Sequence, residues 1–201
     1  MIAIIDYDAG NIKSVEKAVQ FLGEDALITR DKEILLSADK VIFPGVGAFG
    51  DAMEKLHLYG LVDVIHEIVD KGTPFLGICL GMQLLFDSSE EAPGVEGLSL
   101  LPGKIVRFPK EIGYKIPQIG WNKLEQPRKG KLFEGIEDGE FVYFVHSYYL
   151  QAGEISDVVA TTEYGVTVHA AVERANVFGC QFHPEKSSGV GMTILKNFLM
   201  L

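Results

Sequence analysis

Cysteine, tryptophan, positive charge and long apolar runs are all scarce in this chain, which has two Cys and one Trp among 201 residues. Cys79 and Cys180 form no C-x-x-C pair, so neither a disulfide framework nor a zinc site is expected, and no cluster has metal-ligand spacing. No stretch of about 18 apolar residues offers a transmembrane helix. The opening Met1-Ile2-Ala3-Ile4-Ile5-Asp6 has no basic flank and meets an acid too early for a signal peptide, so a cytoplasmic location is expected. Eighteen Lys and Arg against 28 Asp and Glu give a formal charge of −10. With no basic run or aromatic-rich basic patch, nucleic acid and anionic membranes are excluded as partners. Repeats and low-complexity linkers are missing too. A hydrophobic content of 47% is ample for a core, and the length predicts a single domain over residues 1–201.

What is present reads as an α/β chain. Ile2 to Ile5, Val41 to Phe43 and Phe75 to Ile78 are short apolar runs, as strands buried on both faces are. Between them lie helical faces: Ile12, Val15, Val19 and Leu22, opened near Asn11 and closed by Gly23, then Leu61, Val64, Ile65, Ile68 and Val69, stopped by Gly72 and Pro74. Such alternation predicts crossover connections and a mostly parallel central sheet flanked by helices. The texture then changes. Val142 to Tyr149, Val158 to Thr162 and Val166 to Val172 are β-branched and aromatic at hairpin-like intervals, which predicts an antiparallel extension in the C-terminal half. Met192, Ile194, Leu195, Phe198 and Leu199 close the chain as an amphipathic helix.

The most informative stretch is Gly77-Ile78-Cys79-Leu80-Gly81, where an apolar run meets a helical pattern. That is the layout of a nucleophile elbow, in which a sharp strand-to-helix turn presents one side chain at the top of the sheet and flanking glycines relieve crowding. Near the positive end of a helix, an anionic sulfur is favoured. Taken alone, Cys79 reads equally well as a buried core cysteine. Gly179-Cys180-Gln181-Phe182-His183-Pro184-Glu185-Lys186 ends a second apolar run. On an extended chain His183 and Glu185, two apart, point to the same side, so the carboxylate can fix the tautomer and orientation of the imidazole. Together the two segments supply a nucleophile, a proton carrier and its orienting acid.

Gly45-Val46-Gly47-Ala48-Phe49-Gly50 fits G-x-G-x-x-G after a strand, with Asp70 further on, and so raises a dinucleotide site. Against that, the fingerprint usually occupies the first βα turn of its unit, and Pro44 stiffens the entry here. A plain glycine-rich turn is the other reading. His57 and His66 sit in helical patterns with acids nearby, His169 lies in a strand with no evident partner, and Cys180 reads as core. None of these is assigned chemistry.

The elbow, the Gln-Phe-His-Pro-Glu segment and the loop Pro44-Gly45-Val46-Gly47 together resemble the class I (triad) glutamine amidotransferases. Asp6 to Asn11, Cys79 to Phe86, Gly120-Trp121-Asn122, Phe144 to Tyr148 and His183 to Ser188 spread the resemblance over nearly the whole chain. The Gly-Trp-Asn and Phe-Val-His-Ser-Tyr segments are most similar to the branch that serves histidine biosynthesis. The resemblance implies that Cys79 attacks the carboxamide of L-glutamine, that His183 moves protons, and that Glu185 orients His183. It also implies an oxyanion hole from the N–H of Leu80 and one of Gly45, Val46 or Gly47, and substrate contacts from Gln83, Glu91, Ser147 and Tyr148. Gln83 lies one helical turn after Cys79. No cofactor and no metal are implied. The implied partner is a (β/α)₈-barrel cyclase subunit, forming a heterodimer in which it receives the ammonia and makes imidazole glycerol phosphate and AICAR. Trp121, Asn122 and Tyr143 are placed at that interface, and His146 has a structural or binding role.

Overall fold

The computed structural model describes residues 1–111 and 113–201. In chain order its elements are β1 (Ile2–Ile5), α1 (Ile12–Phe21), β2 (Ala26–Thr29), α2 (Lys32–Ser37), β3 (Lys40–Gly45), α3 (Phe49–Leu58), α4 (Val62–Asp70), β4 (Phe75–Cys79) and α5 (Leu80–Gln83). There follow β5 (Ser88–Ser89), β6 (Gly103–Arg107), β7 (Gln118–Lys123), β8 (Phe141–His146), β9 (Tyr148–Ala152), β10 (Val158–Glu163), β11 (Thr167–Arg174), β12 (Val177–Cys180) and α6 (Ser188–Leu199).

Seven strands form the central sheet in the order β10-β11-β12-β4-β3-β1-β2. The run from β12 to β2 is parallel, while β10, β11 and β12 pair antiparallel. The expected mostly parallel sheet with an antiparallel extension is therefore present. Its inner strands β1, β3, β4 and β12 are buried on both faces because each face carries helices. Ala3, Ile5, Val41, Phe43 and Phe75 pack with apolar residues of α2, α3 and α4. Ile2, Ile4, Ile42, Leu76 and Ile78 pack on the other face with α1 and α6. The period-two alternation of strand side chains sorts consecutive residues into these two cores.

The stretch from Val142 to Tyr149 corrects the expectation of one strand. It breaks at Ser147 into β8, which pairs with β7, and β9, which joins β5 and β6 in a second small sheet. Both are antiparallel additions over the ends of the parallel strands. Their register sends Val142, Phe144 and His146 inward, and leaves Ile119, Trp121 and Phe141 exposed on the outer face.

Three parallel neighbours, β12, β4 and β3, end at one level: Gly45 pairs with Cys79 and Cys180 with Ile78. In open α/β sheets the crevice outside the carboxyl ends of the strands is where ligands bind. That level is fixed by a close backbone crossing. A Cβ on Gly81 would lie 1.8 Å from the Phe43 carbonyl oxygen, and one on Gly77 would lie 2.8 Å from the backbone of Gly81 and Met82. Gly81→Ala should therefore destabilise the fold by about 1–3 kcal/mol or more through overpacking, read as a lowered denaturation midpoint; an unchanged midpoint would refute the crossing.

Candidate active site

Cys79 has φ 55° and ψ −111°, at positive φ and outside the usual regions for a non-glycine residue, and links β4 directly to α5. This is the sharp turn that the glycine spacing predicts. α5 has only four residues, so the positive end of a long helix is not what surrounds the sulfur. Polar contacts to the sulfur come instead from the Gln181 amide, whose Nε2 lies 3.8 Å from Sγ, and from the Val145 carbonyl at 4.0 Å.

His183 follows β12 and caps a single 3₁₀ turn, Pro184–Lys186. The two-residue spacing to Glu185 thus works through a turn and not, as expected, through an extended chain. The result is the same pairing: His183 Nδ1 lies 2.7 Å from Glu185 Oε1. That acceptor fixes the proton on Nδ1, leaving Nε2 for the sulfur. Nε2 is buried and forms no complete hydrogen bond, and its approach to Cys79 falls short of bonding geometry, as catalytic contacts often do without substrate. Burial disfavours the imidazolium, but the Cys79 and Glu185 contacts outweigh it and hold the pKa up at about 9, against an ordinary 6.5.

Asn11 was legible only as a helix opener. It sits at φ 70°, and its side-chain amide donates to Glu185 Oε1 at 2.6 Å. The loop after β1 therefore secures the carboxylate that secures the imidazole.

In front of Cys79 lies a cavity of about 290 Å³, lined by Val46, Gly47, Cys79, Leu80, Gln83, Glu91, Pro117, Val145, His146, Ser147 and Tyr148. That is near the lower end of ligand pockets, about 300–1,000 Å³, and suits a small molecule. Gly45 does not line it; Gly45 is buried behind the loop against Tyr7. The Gln83 amide nitrogen donates to the Tyr148 carbonyl at 3.1 Å and to Gln181 Oε1 at 2.9 Å. Both its protons are used, so its own carbonyl oxygen is the group left for a ligand. Glu91 accepts the Phe49 N–H at 2.8 Å with one oxygen. This bears on the glycine-rich motif, because a carboxylate occupies the N-terminus of α3 where a dinucleotide pyrophosphate would need to sit.

His146 is fully buried, with Nδ1 2.8 Å from the Tyr148 carbonyl and Nε2 3.0 Å from the Gln118 side chain. Burial, reinforced by the nearby charge of His183, pushes its pKa down to about 4 despite the carbonyl contact. The structure sets Gln118 Oε1 toward Nε2, but a neutral ring donating from Nδ1 must accept at Nε2, so the amide has to be turned over to present its N–H₂ there, which also gives a partner to a nitrogen otherwise unpartnered. His146 thus holds the cavity wall as a neutral ring at neutral pH. Gln181 escaped the sequence reading because a polar residue in an apolar strand gives no periodic signal, while of the two roles left open for His146 the structure shows the structural one. His169 finds a partner after all, accepting the Ala152 N–H at 3.0 Å. Cys180 is wholly buried and its thiol is pushed up by burial, as a core residue. His57 and His66 lie on α3 and α4, away from the cavity lining.

On the outer ribbon, Trp121 is half exposed and meets Tyr143 edge-on at 6.1 Å. Asn122 differs from its neighbours, since its amide donates to the Glu163 carbonyl and its oxygen accepts the Lys123 N–H, both at 2.9 Å. Its side chain is engaged within the chain. Among the described residues no group of three His, Cys, Asp or Glu is placed to hold a metal, and no helix is long and apolar enough to cross a membrane.

Residues 3–201 match the family described as glutamine amidotransferase class-I. The chain is 54% identical to imidazole glycerol phosphate synthase subunit HisH of Bacillus cereus, covering 98% of this chain and 93% of that protein. It is 53% identical to the HisH subunit of Geobacillus thermodenitrificans, covering 99% and 95%. Among solved structures, a glutamine amidotransferase superposes with a TM-score of 0.78 at 21% identity, over 100% of this chain and 98% of the other. PurLQS from Thermotoga maritima gives 0.76 at 20% identity, over 99% and 97%. These last two likenesses bear on the fold alone.

The His183 ring should titrate by NMR with a midpoint near 9. Replacing Glu185 by Gln removes the charge that favours the imidazolium, so the midpoint should fall toward the ordinary value of about 6.5; a midpoint that stays put would show that Glu185 does not set it.

Proposed function

The chain belongs to the class-I glutamine amidotransferases, among the HisH glutaminase subunits of imidazole glycerol phosphate synthase in histidine biosynthesis, and from that premise we propose that Cys79, His183 and Glu185 are its catalytic residues within one domain spanning residues 1–201. The observation that carries this reading is the line of sulfur, imidazole and carboxylate at the ends of β4 and β12, opening on a small-molecule cavity.

Cys79 attacks the side-chain carboxamide carbon of glutamine. The oxyanion that forms is held by the N–H of Leu80 and by one from the Gly45-Val46-Gly47 loop, of which Val46 and Gly47 face the cavity. His183, protonated through neutral pH, gives its proton to the departing ammonia. It then takes a proton from water, which hydrolyses the γ-glutamyl thioester to glutamate. Glu185, held by Asn11, keeps the ring aligned. The free carbonyl oxygen of Gln83 and the second oxygen of Glu91 accept from the α-ammonium of the substrate. The Tyr148 carbonyl is already taken by His146 and Gln83, so the Ser147-Tyr148 turn serves through its remaining groups. No cofactor or metal enters any of these steps.

Ammonia released into neutral water becomes ammonium, which is no nucleophile, so the product has to pass directly to an acceptor. The acceptor in this reading is a (β/α)₈-barrel cyclase subunit that forms a heterodimer with this chain and carries out the lyase step. The docking face is the ribbon of β7 and β8. Ile119, Trp121 and Phe141 are 62%, 50% and 53% exposed there, more clustered apolar surface than an isolated soluble face normally shows. Tyr143 shares that face, and Asn122 shapes it from within. Val145, on β8, reaches from the ribbon to the cavity. Free thiols at Cys79 and Cys180 suit a reducing, cytoplasmic setting.

Glutamine hydrolysis should be measured for the chain alone, with its partner subunit, and with the partner's nucleotide substrate. Cys79→Ala should lower the rate by at least about 10⁴-fold in every case; residual hydrolysis above that level would remove Cys79 from the mechanism. Trp121→Ala should weaken association with the partner by roughly tenfold or more in a calorimetric titration, while leaving iodoacetamide alkylation of Cys79 in the free chain unchanged. Wild-type affinity would move the interface elsewhere.

A further inference from the structure

The turn at Cys79 leaves its sulfur short of donors. A thiolate beside a helix start ordinarily draws on the free N–H groups of that helix, but the Cys79 side chain accepts no such bond and α5 is a single turn. His183 Nε2 lies outside bonding geometry. The Val145 carbonyl, 4.0 Å from the sulfur, can only accept, so it favours the protonated thiol. Among the described residues, the N–H set to bond the sulfur is that of Gln181, whose Nε2 lies 3.8 Å away.

Gln181 follows β12, two residues before His183. Its side chain is fully buried, and its backbone N–H is tied to the Ala170 carbonyl at 2.8 Å. Which end of a buried side-chain amide is oxygen and which is nitrogen is decided by its partners, and here a backbone group decides it. The Tyr148 carbonyl accepts from Gln83 Nε2 at 3.1 Å and cannot donate, so it fixes the Gln83 amide. The second N–H of that nitrogen then faces Gln181 and requires an oxygen, Oε1 at 2.9 Å. Turning Gln181 over would set two N–H groups against each other in a buried site and give the sulfur a second acceptor. Its N–H₂ is therefore committed to Sγ.

We propose that Gln181 is a further catalytic residue of this site, whose N–H bond to Sγ favours the anionic form of the nucleophile. A hydrogen bond made to the charged form of a group stabilises that form, and in a buried setting it does so with little screening. The role differs from that of His183. When water hydrolyses the thioester, the sulfur leaves as a thiolate while His183 is taking a proton from that water, so a neutral donor that does not titrate serves both the attack and the departure. This deepens the glutaminase reading above and rests on it.

The test is Gln181→Met, close in size and without donor or acceptor. In the free chain, alkylation of Cys79 by iodoacetamide reads the thiolate alone, with no glutamine bound. At neutral pH its rate should fall by about tenfold or more, and the pH at which it reaches half its maximum should move up, with the plateau at high pH within about twofold of wild type. In the complex with the partner subunit and its nucleotide, kcat for glutamine hydrolysis should fall by about ten- to a hundredfold, with KM within about threefold, since the Tyr148 carbonyl still holds Gln83. An alkylation profile identical to wild type overturns the role. So does a rate lowered by one factor at every pH, which marks a misshapen cavity. Should Gln181→Met fail to fold, NMR of the wild-type chain decides: the Gln181 side-chain N–H proton should move upfield when Cys79 is alkylated, and an unmoved signal overturns the contact. A wild-type complex that hydrolyses no glutamine, with the alkylation shift as expected, overturns the glutaminase reading and leaves the bond to the sulfur standing.

Discussion

The backbone crossing at Gly81 and Phe43 is the constraint on which the site depends. Cys79 takes a positive φ that costs a non-glycine residue of order 1–3 kcal/mol, and it does so because α5 must start in contact with the end of β3. Once that contact is made, the sulfur stands at the end of the sheet, and the same cavity is lined by Leu80 and by Val46 and Gly47 of the loop leaving β3. The cost of the turn is met by the two apolar layers that clamp β3 and β4 from both faces. Rigid parallel strands thus present their ends, and the chemistry is gathered from the loops that leave them.

Around the sulfur, polar groups are nearly all committed. Gln118, His146, the Tyr148 carbonyl, Gln83, Gln181 and Cys79 form a continuous buried chain of contacts. It runs from the exposed β7 ribbon to the nucleophile. Such saturation fixes the shape of the cavity before any ligand arrives, which is what positioning of a reacting carbon requires. The buried atoms left without partners include His183 Nε2, Glu185 Oε2 and the Tyr7 hydroxyl. They cluster at the site, where a polar group kept in reserve is of use.

The two halves of the chain divide the work. Residues up to the elbow build the parallel frame, the glycine-rich loop and the Asn11 brace. The later strands return antiparallel, bring His183 to the end of β12, and lay the β7–β8 ribbon across the crevice. The free outer face of that ribbon is apolar, while its inner face is core. Val145 and His146, both on β8, join that ribbon to the cavity wall.

Apolar runs between glycines, the elbow spacing and the His-Pro-Glu segment were enough to give the layered α/β class, the parallel strands and the residues that meet at their ends, because each rests on local periodicity or turn chemistry. The resemblance of those segments to one family carried the reading further. Tertiary structure alone decided the rest. The split of Val142 to Tyr149 into two sheets depends on long-range pairing. The coupling of His183 to Glu185 through a 3₁₀ turn depends on Pro184 and Ser187 packing under β8. The grip of Asn11 on Glu185 joins residues from opposite ends of the chain. Sequence periodicity reports which face of an element is buried, but a hydrogen bond between distant polar residues leaves no period to read, so Asn11 and Gln181 took on roles only once the strands were side by side.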